Sequence, residues 1–157
     1  EEFGDDFVFA YRHFPLESIH ANAEAAAIAS VAAGRQGQFW EMHDLLFNNQ
    51  QAWSRLEDPT VAFNSFAEQL DLDLEQFESD INNAALAEKV NNQQREASQL
   101  GVSGTPTFFL NGERIDIAPS VESLREVIQP VSSNETDEDV ANIEQDDGAS
   151  SEVESED

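Results

Sequence analysis

Gly101-Val102-Ser103-Gly104-Thr105-Pro106-Thr107-Phe108-Phe109-Leu110-Asn111-Gly112-Glu113-Arg114-Ile115-Asp116-Ile117 organises the whole chain around it. Two short runs rich in aromatic and branched residues flank Asn111-Gly112, a pair that accepts positive φ, so a tight β-hairpin is predicted there. Just upstream, Gly101 stops a long polar helix carrying Leu86, Val90, Ala97 and Leu100, and Gly104 supplies the bend that leads into Thr105-Pro106. Just downstream, Ser120 caps a last helix with Val121, Leu124, Val127 and Ile128 on one face, ended by Pro130.

Further toward the N-terminus, Phe7-Val8-Phe9-Ala10-Tyr11-Arg12-His13-Phe14 is aromatic and branched, ends at Pro15, and is predicted to be a covered strand. Eight alanines between His20 and Ala33 surround Ile28 and Val31, which predicts a first helix stopped by a left-handed Gly34. Phe39, Trp40, Met42, His43, Leu46 and Phe47 recur at helical spacing, giving an amphipathic second helix. Asp58-Pro59 opens a third helix with Phe63, Phe66, Ala67 and Leu70 at core spacing. Asp73 with Gln76 forms a capping-box pattern ahead of Leu74, Phe77 and Ile81. The predicted order is therefore strand, helical block, hairpin, helix.

The chain has 157 residues, with 33 acidic against 7 basic side chains and a formal charge of −26. Such a balance argues against nucleic acid and anionic membrane surfaces as partners, because both require clustered cations. Residues 131–157 hold 11 of the acids and no base, and they lack aromatic residues and periodicity. A disordered acidic tail is expected there, since burial cannot offset chain entropy. Asn134-Glu135-Thr136 matches a glycosylation acceptor, a pattern too short to carry weight. One lysine, Lys89, stands beside six arginines, and this depletion together with the acid excess resembles a haloarchaeal protein. With no cysteine anywhere, disulfides, thiolate metal sites and thiol nucleophiles are excluded within these residues. No apolar run is long enough to span a bilayer, and Glu1-Glu2-Phe3-Gly4-Asp5-Asp6 is unlike a signal peptide, so the sequence as it stands reads as soluble and without a leader.

Three ordered blocks carry a family resemblance: Tyr11-Arg12-His13-Phe14-Pro15-Leu16, then Gln36-Gly37-Gln38-Phe39-Trp40-Glu41-Met42-His43-Asp44-Leu45-Leu46-Phe47, then Gly101 to Phe109 with Asn111-Gly112. Together, over roughly Glu2 to Gln129, they resemble the DsbA-like thioredoxin family. The resemblance implies an α/β thioredoxin-like fold with an inserted helical block at about 20–100, inside a domain spanning 1–130. It also implies action on protein or peptide thiols and disulfides through a Cys-x-x-Cys pair at the start of the first helix. In that family the pair sits on a strand and helix preceding the strand matched by Phe7 to Phe14. The expectation is thus a chain truncated before its catalytic element, lacking the first strand and active-site helix. Loss of that strand would leave exposed edges and a piece of low stability.

The same resemblance places Thr105 and Pro106 at a substrate-binding loop, with Pro106 in cis and the Thr105 backbone open to a substrate peptide. No catalytic residue, cofactor or metal is assigned to this chain. His13, His20 and His43 have no acidic partner at a fixed ligand spacing and read as packing or capping groups, and Trp40 and Trp53 read as core. Glu41 and Asp44 lie on one helix turn and are explained by a solvated face. The leading function is a thiol–disulfide oxidoreductase domain of DsbA type, inactive without its cysteines. The alternatives are a redox-dead peptide-binding domain and, more distantly, a glutathione-using isomerase or transferase relative. The family suggests an extracytoplasmic or membrane-anchored setting, with the cytoplasm also open.

The charge has a measurable consequence. Without the tail, 22 acids face 7 bases, and molar salt, with a Debye length of about 3 Å, screens that repulsion. Folding is expected to require high salt: thermal melts followed by circular dichroism should move to higher temperature between dilute buffer and molar potassium chloride, and coincident melts would refute this.

Overall fold

The computed structural model describes residues 8–128. The described residues divide into two compact units, one of residues 11–107 and the other of residues 8–10 and 108–128. The acidic tail, the Asn134 glycosylation pattern and the Pro130 helix stop lie outside the described residues.

The unit of residues 11–107 is helical. Its elements are α1 (Ala23–Gly34), α2 (Phe39–Asn48), the single turn α3 (Gln50–Trp53), α4 (Thr60–Gln69), α5 (Leu74–Ile81) and α6 (Ala84–Gln99). Helix α1 is the centre, in contact with α2, α4, α5 and α6. A helix that is apolar on nearly all sides must be surrounded, and Ala26, Ala27, Ala29, Val31, Ala32 and Ala33 are all buried. Because alanine adds little volume, the neighbours supply it: Met42, Phe77 and Val90 are the largest fully buried side chains, with Phe63 and Trp53 beside them. Ser30, also buried, returns its hydroxyl to Ala27 O at 2.8 Å, so it adds no unpaired donor to this core.

The end of α1 differs from the expectation. Gly34 is the last helical residue, and the left-handed position is Gly37, at φ 81°. There Gln38 N–H donates to Ala33 O at 3.0 Å and closes the helix end. Gly34 serves a different need: a Cβ built on it would lie 3.2 Å from Phe39 Cβ, so the missing side chain lets α2 start close against α1. Helix α6 does end as the sequence indicates, with Gly101 at φ 78° and the buried Val102 donating its N–H to Ala97 O at 3.0 Å.

Helix starts follow local chemistry. Asp58 Oδ1 accepts from Thr60 N–H at 2.9 Å before α4, Asp73 Oδ1 from Gln76 N–H at 2.9 Å before α5, and Asn83 Oδ1 from Ala85 N–H at 2.9 Å before α6. The second half of the Asp73 capping box is replaced by a distant residue. Gln36 accepts from Asp73 N–H at 2.8 Å and donates to Asp73 O at 3.1 Å, clamping the start of α5 to the loop after α1.

Two further sequence expectations are corrected in this unit. Residues 8–14 form no strand. A strand exists only through a paired ladder, and here the backbone is taken up by side chains of α6: His13 N–H donates to Gln93 Oε1 at 2.8 Å, and Gln94 Nε2 donates to Pro15 O at 2.6 Å. Trp53 is core at 6% exposure and donates its indole N–H to Leu46 O at 2.8 Å, but Trp40 is 46% exposed.

The other unit holds an antiparallel hairpin of β1 (Phe108–Leu110) and β2 (Glu113–Ile115), paired Phe108 with Ile115, Phe109 with Arg114 and Leu110 with Glu113. Asn111 and Gly112 both have positive φ, 49° and 86°, as a two-residue turn of this handedness demands. Residues 121–128 are helical, which we label α7, and Ser120 Oγ accepts from Ser123 N–H at 3.2 Å at its start. Among the described residues the protein is thus mostly helical, with one small two-stranded sheet.

The core arrangement sets the cost of substitution. Phe77→Ala should lower the free energy of unfolding by about 3–5 kcal/mol through a cavity, and Ala32→Leu by about 1–3 kcal/mol or more through overpacking against the neighbouring helices. Val61→Ala, at a position 74% exposed, should stay within about 0.5 kcal/mol. Urea titration of the three variants checks this order.

Candidate functional site

The two assigned residues lie on the loop between α6 and β1. The Thr105-Pro106 peptide bond is cis, and both residues are exposed. Buried Val102 anchors the loop at one end, and at the other Thr107 Oγ1 donates to Gly104 O at 2.8 Å, pinning the bend. Among the described residues, no hydrogen bond uses the Thr105 backbone N–H or C=O.

A second constellation was not assigned from sequence. Tyr11 and His13, held by the Gln93 clamp on the chain before α1, meet Phe39, Trp40 and His43 from the first two turns of α2. Tyr11 makes edge-to-face contacts with His13 at 5.2 Å, Phe39 at 5.5 Å, Trp40 at 5.8 Å and His43 at 5.3 Å between ring centroids. Phe47 extends the group through His43 at 4.7 Å. Such ring pairs add about 0.5–1.5 kcal/mol each beyond their buried area. Two of the three blocks that carried the family resemblance, one around Tyr11 and one from Gln36 to Phe47, are therefore a single side-chain cluster in space. The available signal was their shared aromatic content, which sequence spacing alone could not join.

Burial shapes the titration of this cluster. The His13 imidazole is pushed down to about 4, first by burial, then by the charges of Lys89 and His43. Burial raises the Tyr11 phenol above its ordinary value. His43 faces Asp44, with Nδ1 and Oδ1 3.0 Å apart. His13 and His43 thus share a neighbourhood of rings, while exposed His20 belongs to the turn before α1, where its carbonyl accepts from Ala23 N–H at 2.9 Å. Glu41 and Asp44 sit on the exposed side of α2, as the solvated-face reading expects.

Beneath the rings lies an open-mouthed pocket of about 440 Å³. Tyr11, His13, Phe39, Arg35, Lys89 and Gln93 are among the residues lining it. Arg35 Nη1 donates to Asp80 Oδ1 at 2.7 Å, and Asp80 is buried.

Comparison with known proteins adds the following. The family described as DSBA-like thioredoxin domain matches residues 5–129. Among curated proteins, the chain is 40% identical over 116 residues to Na(+)/H(+) antiporter NhaA 1 of Salinispora arenicola, covering 74% of this chain and 17% of that protein. It is 39% identical over 116 residues to Na(+)/H(+) antiporter NhaA 1 of Mycolicibacterium gilvum, covering 71% and 18%, and 37% identical over 113 residues to Na(+)/H(+) antiporter NhaA of Herminiimonas arsenicoxydans, covering 72% and 17%. The chain spans about one sixth of the length of these relatives. They are bacterial, so the haloarchaeal expectation finds no support among them.

The lowered His13 value fixes the sign of a pH effect. An unfolded histidine takes up its proton near 6.5 and the folded one near 4. Below 6.5 the unfolded state therefore binds more protons, so this contribution to stability is complete above about pH 6.5 and is lost as pH falls toward 4. His13→Phe, which keeps a ring and removes the titration, should be less pH-sensitive than the parent across that window, as read from urea midpoints at half-unit steps. Parallel curves for the two proteins would contradict the assignment.

Proposed function

The chain belongs to the family of DSBA-like thioredoxin domains, and on that premise we propose that it is the peptide-holding part of a protein thiol–disulfide oxidoreductase domain whose thiols come from outside these 157 residues. The observation that carries the reading is the Thr105-Pro106 loop, exposed and with the Thr105 backbone groups unused. An extended peptide adds to such a segment as a strand does: Thr105 N–H donates to a peptide carbonyl, and Thr105 C=O accepts a peptide N–H. Main-chain bonding of this kind tolerates many side chains, which suits a domain that handles varied proteins. The held peptide would present a disulfide to a thiolate, which attacks one sulfur and displaces the other as a thiolate, leaving a mixed disulfide. This chain contributes binding and register to that exchange and no sulfur, since it contains no cysteine.

The absence of cysteine equally favours a second reading, a redox-dead domain that binds peptides along the same loop. The named relatives bear on its setting. They are called Na(+)/H(+) antiporters, and this chain matches about a sixth of each. No helix among the described residues is long and apolar enough to cross a membrane. In either reading the domain acts as a module of a larger polypeptide, and the ion exchange in those names belongs to other segments of it.

Three measurements test these readings. The isolated chain should show no insulin-reduction turnover above buffer. An unfolded-protein peptide should perturb backbone amide signals at Gly104 to Phe109, and Thr105→Pro, which removes the N–H, should weaken its binding about tenfold with helix content unchanged. Perturbations confined to other residues would remove the loop assignment. Thiol counting on the intact polypeptide purified from cells then separates the two readings: a pair of alkylatable cysteines supports the oxidoreductase, and none supports the redox-dead domain.

A further inference from the structure

The pocket under the Tyr11 cluster has a composition at odds with the rest of the chain. Among the described residues no acidic side chain lines it, whereas two basic ones, Arg35 and Lys89, do. Lys89 is the chain's single lysine, and among the described residues its ammonium makes no ion pair. In a protein of charge −26 an unpaired ammonium beside a pocket is a cation left over for something else. Glu88 and Glu96 line a second depression shared with Lys89 and not this one.

The neutral donors point the same way. Gln93 uses its carbonyl oxygen on His13 N–H at 2.8 Å, which leaves its amide N–H groups as donors. The Tyr11 phenol is protonated at neutral pH, as any phenol is, and burial raises its pKa further, so its O–H is available as a donor. Around these donors the Tyr11, His13 and Phe39 rings stand 5.2, 5.5 and 5.8 Å apart and present apolar surface. A volume of about 440 Å³ is in the range of small-molecule sites.

We propose that this pocket binds a small aryl carboxylate, its ring against Tyr11 and Phe39 and its carboxylate toward Lys89, Arg35 and Gln93. A flat ring suits walls made of ring edges and faces. A carboxylate accepts charge-assisted hydrogen bonds from an ammonium and from the guanidinium N–H groups that Arg35 does not spend on Asp80, where Nη1 donates at 2.7 Å. The charge count also selects a monoanion. His13 is neutral well above pH 4 and adds no charge there, and Asp80 offsets part of Arg35, so among the described residues lining the pocket Lys89 is the cation without an ion-pair partner. The pocket shares no residue with the Thr105-Pro106 loop, and the proposal stands independently of the thiol reading.

The test is titration of the 157-residue chain with sodium benzoate, benzamide and inorganic phosphate at fixed ionic strength, followed by backbone amide signals. Benzoate should saturate and shift Tyr11, His13 and Gln93, while benzamide, which lacks the charge, and phosphate, which lacks the ring, should each bind about tenfold more weakly. Lys89→Gln should weaken benzoate about tenfold, and Lys89→Arg should hold it within about threefold. Glu88→Gln changes the net charge by the same amount on the neighbouring side of α6 and should leave benzoate within about threefold. Equal affinity for benzamide, an unchanged Lys89→Gln, a benzoate gain in Glu88→Gln as large as the loss in Lys89→Gln, or shifts away from these three residues would each overturn the proposal.

Discussion

Everything in the helical unit depends on α1 being small. Its buried positions are almost all alanine, and the 3.2 Å approach that Gly34 permits toward Phe39 extends the same logic to its last residue. Interiors pack at near-crystalline density, so the volume that α1 declines to fill is occupied by Met42, Phe63, Phe77 and Val90 from four other helices. Each of these helices buries an apolar stripe only because α1 offers a low, wide surface. A larger residue at Ala29, Ala32 or Ala33, all with no exposed surface, would push on several helices at once.

The polar connections reflect a shortage of cations. With seven basic residues for 33 acids, ion pairing cannot tie the elements together. Side-chain amides do so instead. Asn22 donates to the carbonyls of Trp53 and Leu56 at 3.0 and 2.9 Å, Asn91 to Glu24 at 2.8 Å and Asn64 to Glu78 at 2.7 Å, while Gln36, Gln93 and Gln94 clamp backbone as described. An amide can donate to a carboxylate or a carbonyl without adding a charge that must be desolvated. The ion pair between Arg12 and Glu96, 3.9 Å long with both side chains exposed, contributes little. Arg35 with Asp80 is different: the carboxylate is buried and its Oδ2 has no partner, so Arg35 holds in place a charge that would otherwise be stranded.

These two economies meet at the candidate sites. The glutamine clamp that gives residues 11–15 their course also sets Tyr11 and His13 against α2, and the small end of α1 makes room for Phe39 beneath them. The ring cluster and its pocket are by-products of the packing of α1, α2 and α6. The Thr105-Pro106 loop has another origin, the Gly101 helix stop and the Thr107 pin, both local in sequence. A module of this family can thus keep its loop and its helical core as separately specified parts.

What the sequence determined alone was whatever a few neighbouring residues settle among themselves. Asn111-Gly112 sets the hairpin turn because both residues tolerate positive φ, and Asp73, Asn83 and Ser120 set helix starts because a short side chain reaches an N–H two or three residues on. The loop residues Thr105 and Pro106 were legible through a block of contiguous residues. Tertiary structure decided the rest, because it turned on partners far along the chain. Residues 8–14 have the composition of a strand, yet a strand is a property of a pair, and His13 and Pro15 find Gln93 and Gln94 some 80 residues away. Trp40 and Trp53 look alike in sequence, and only the course of α2 and α3 puts one outside and the other inside. The pocket needed Tyr11, Arg35 and Lys89 brought together from three segments, and no local pattern records that meeting, because each residue taken alone satisfies an ordinary surface role.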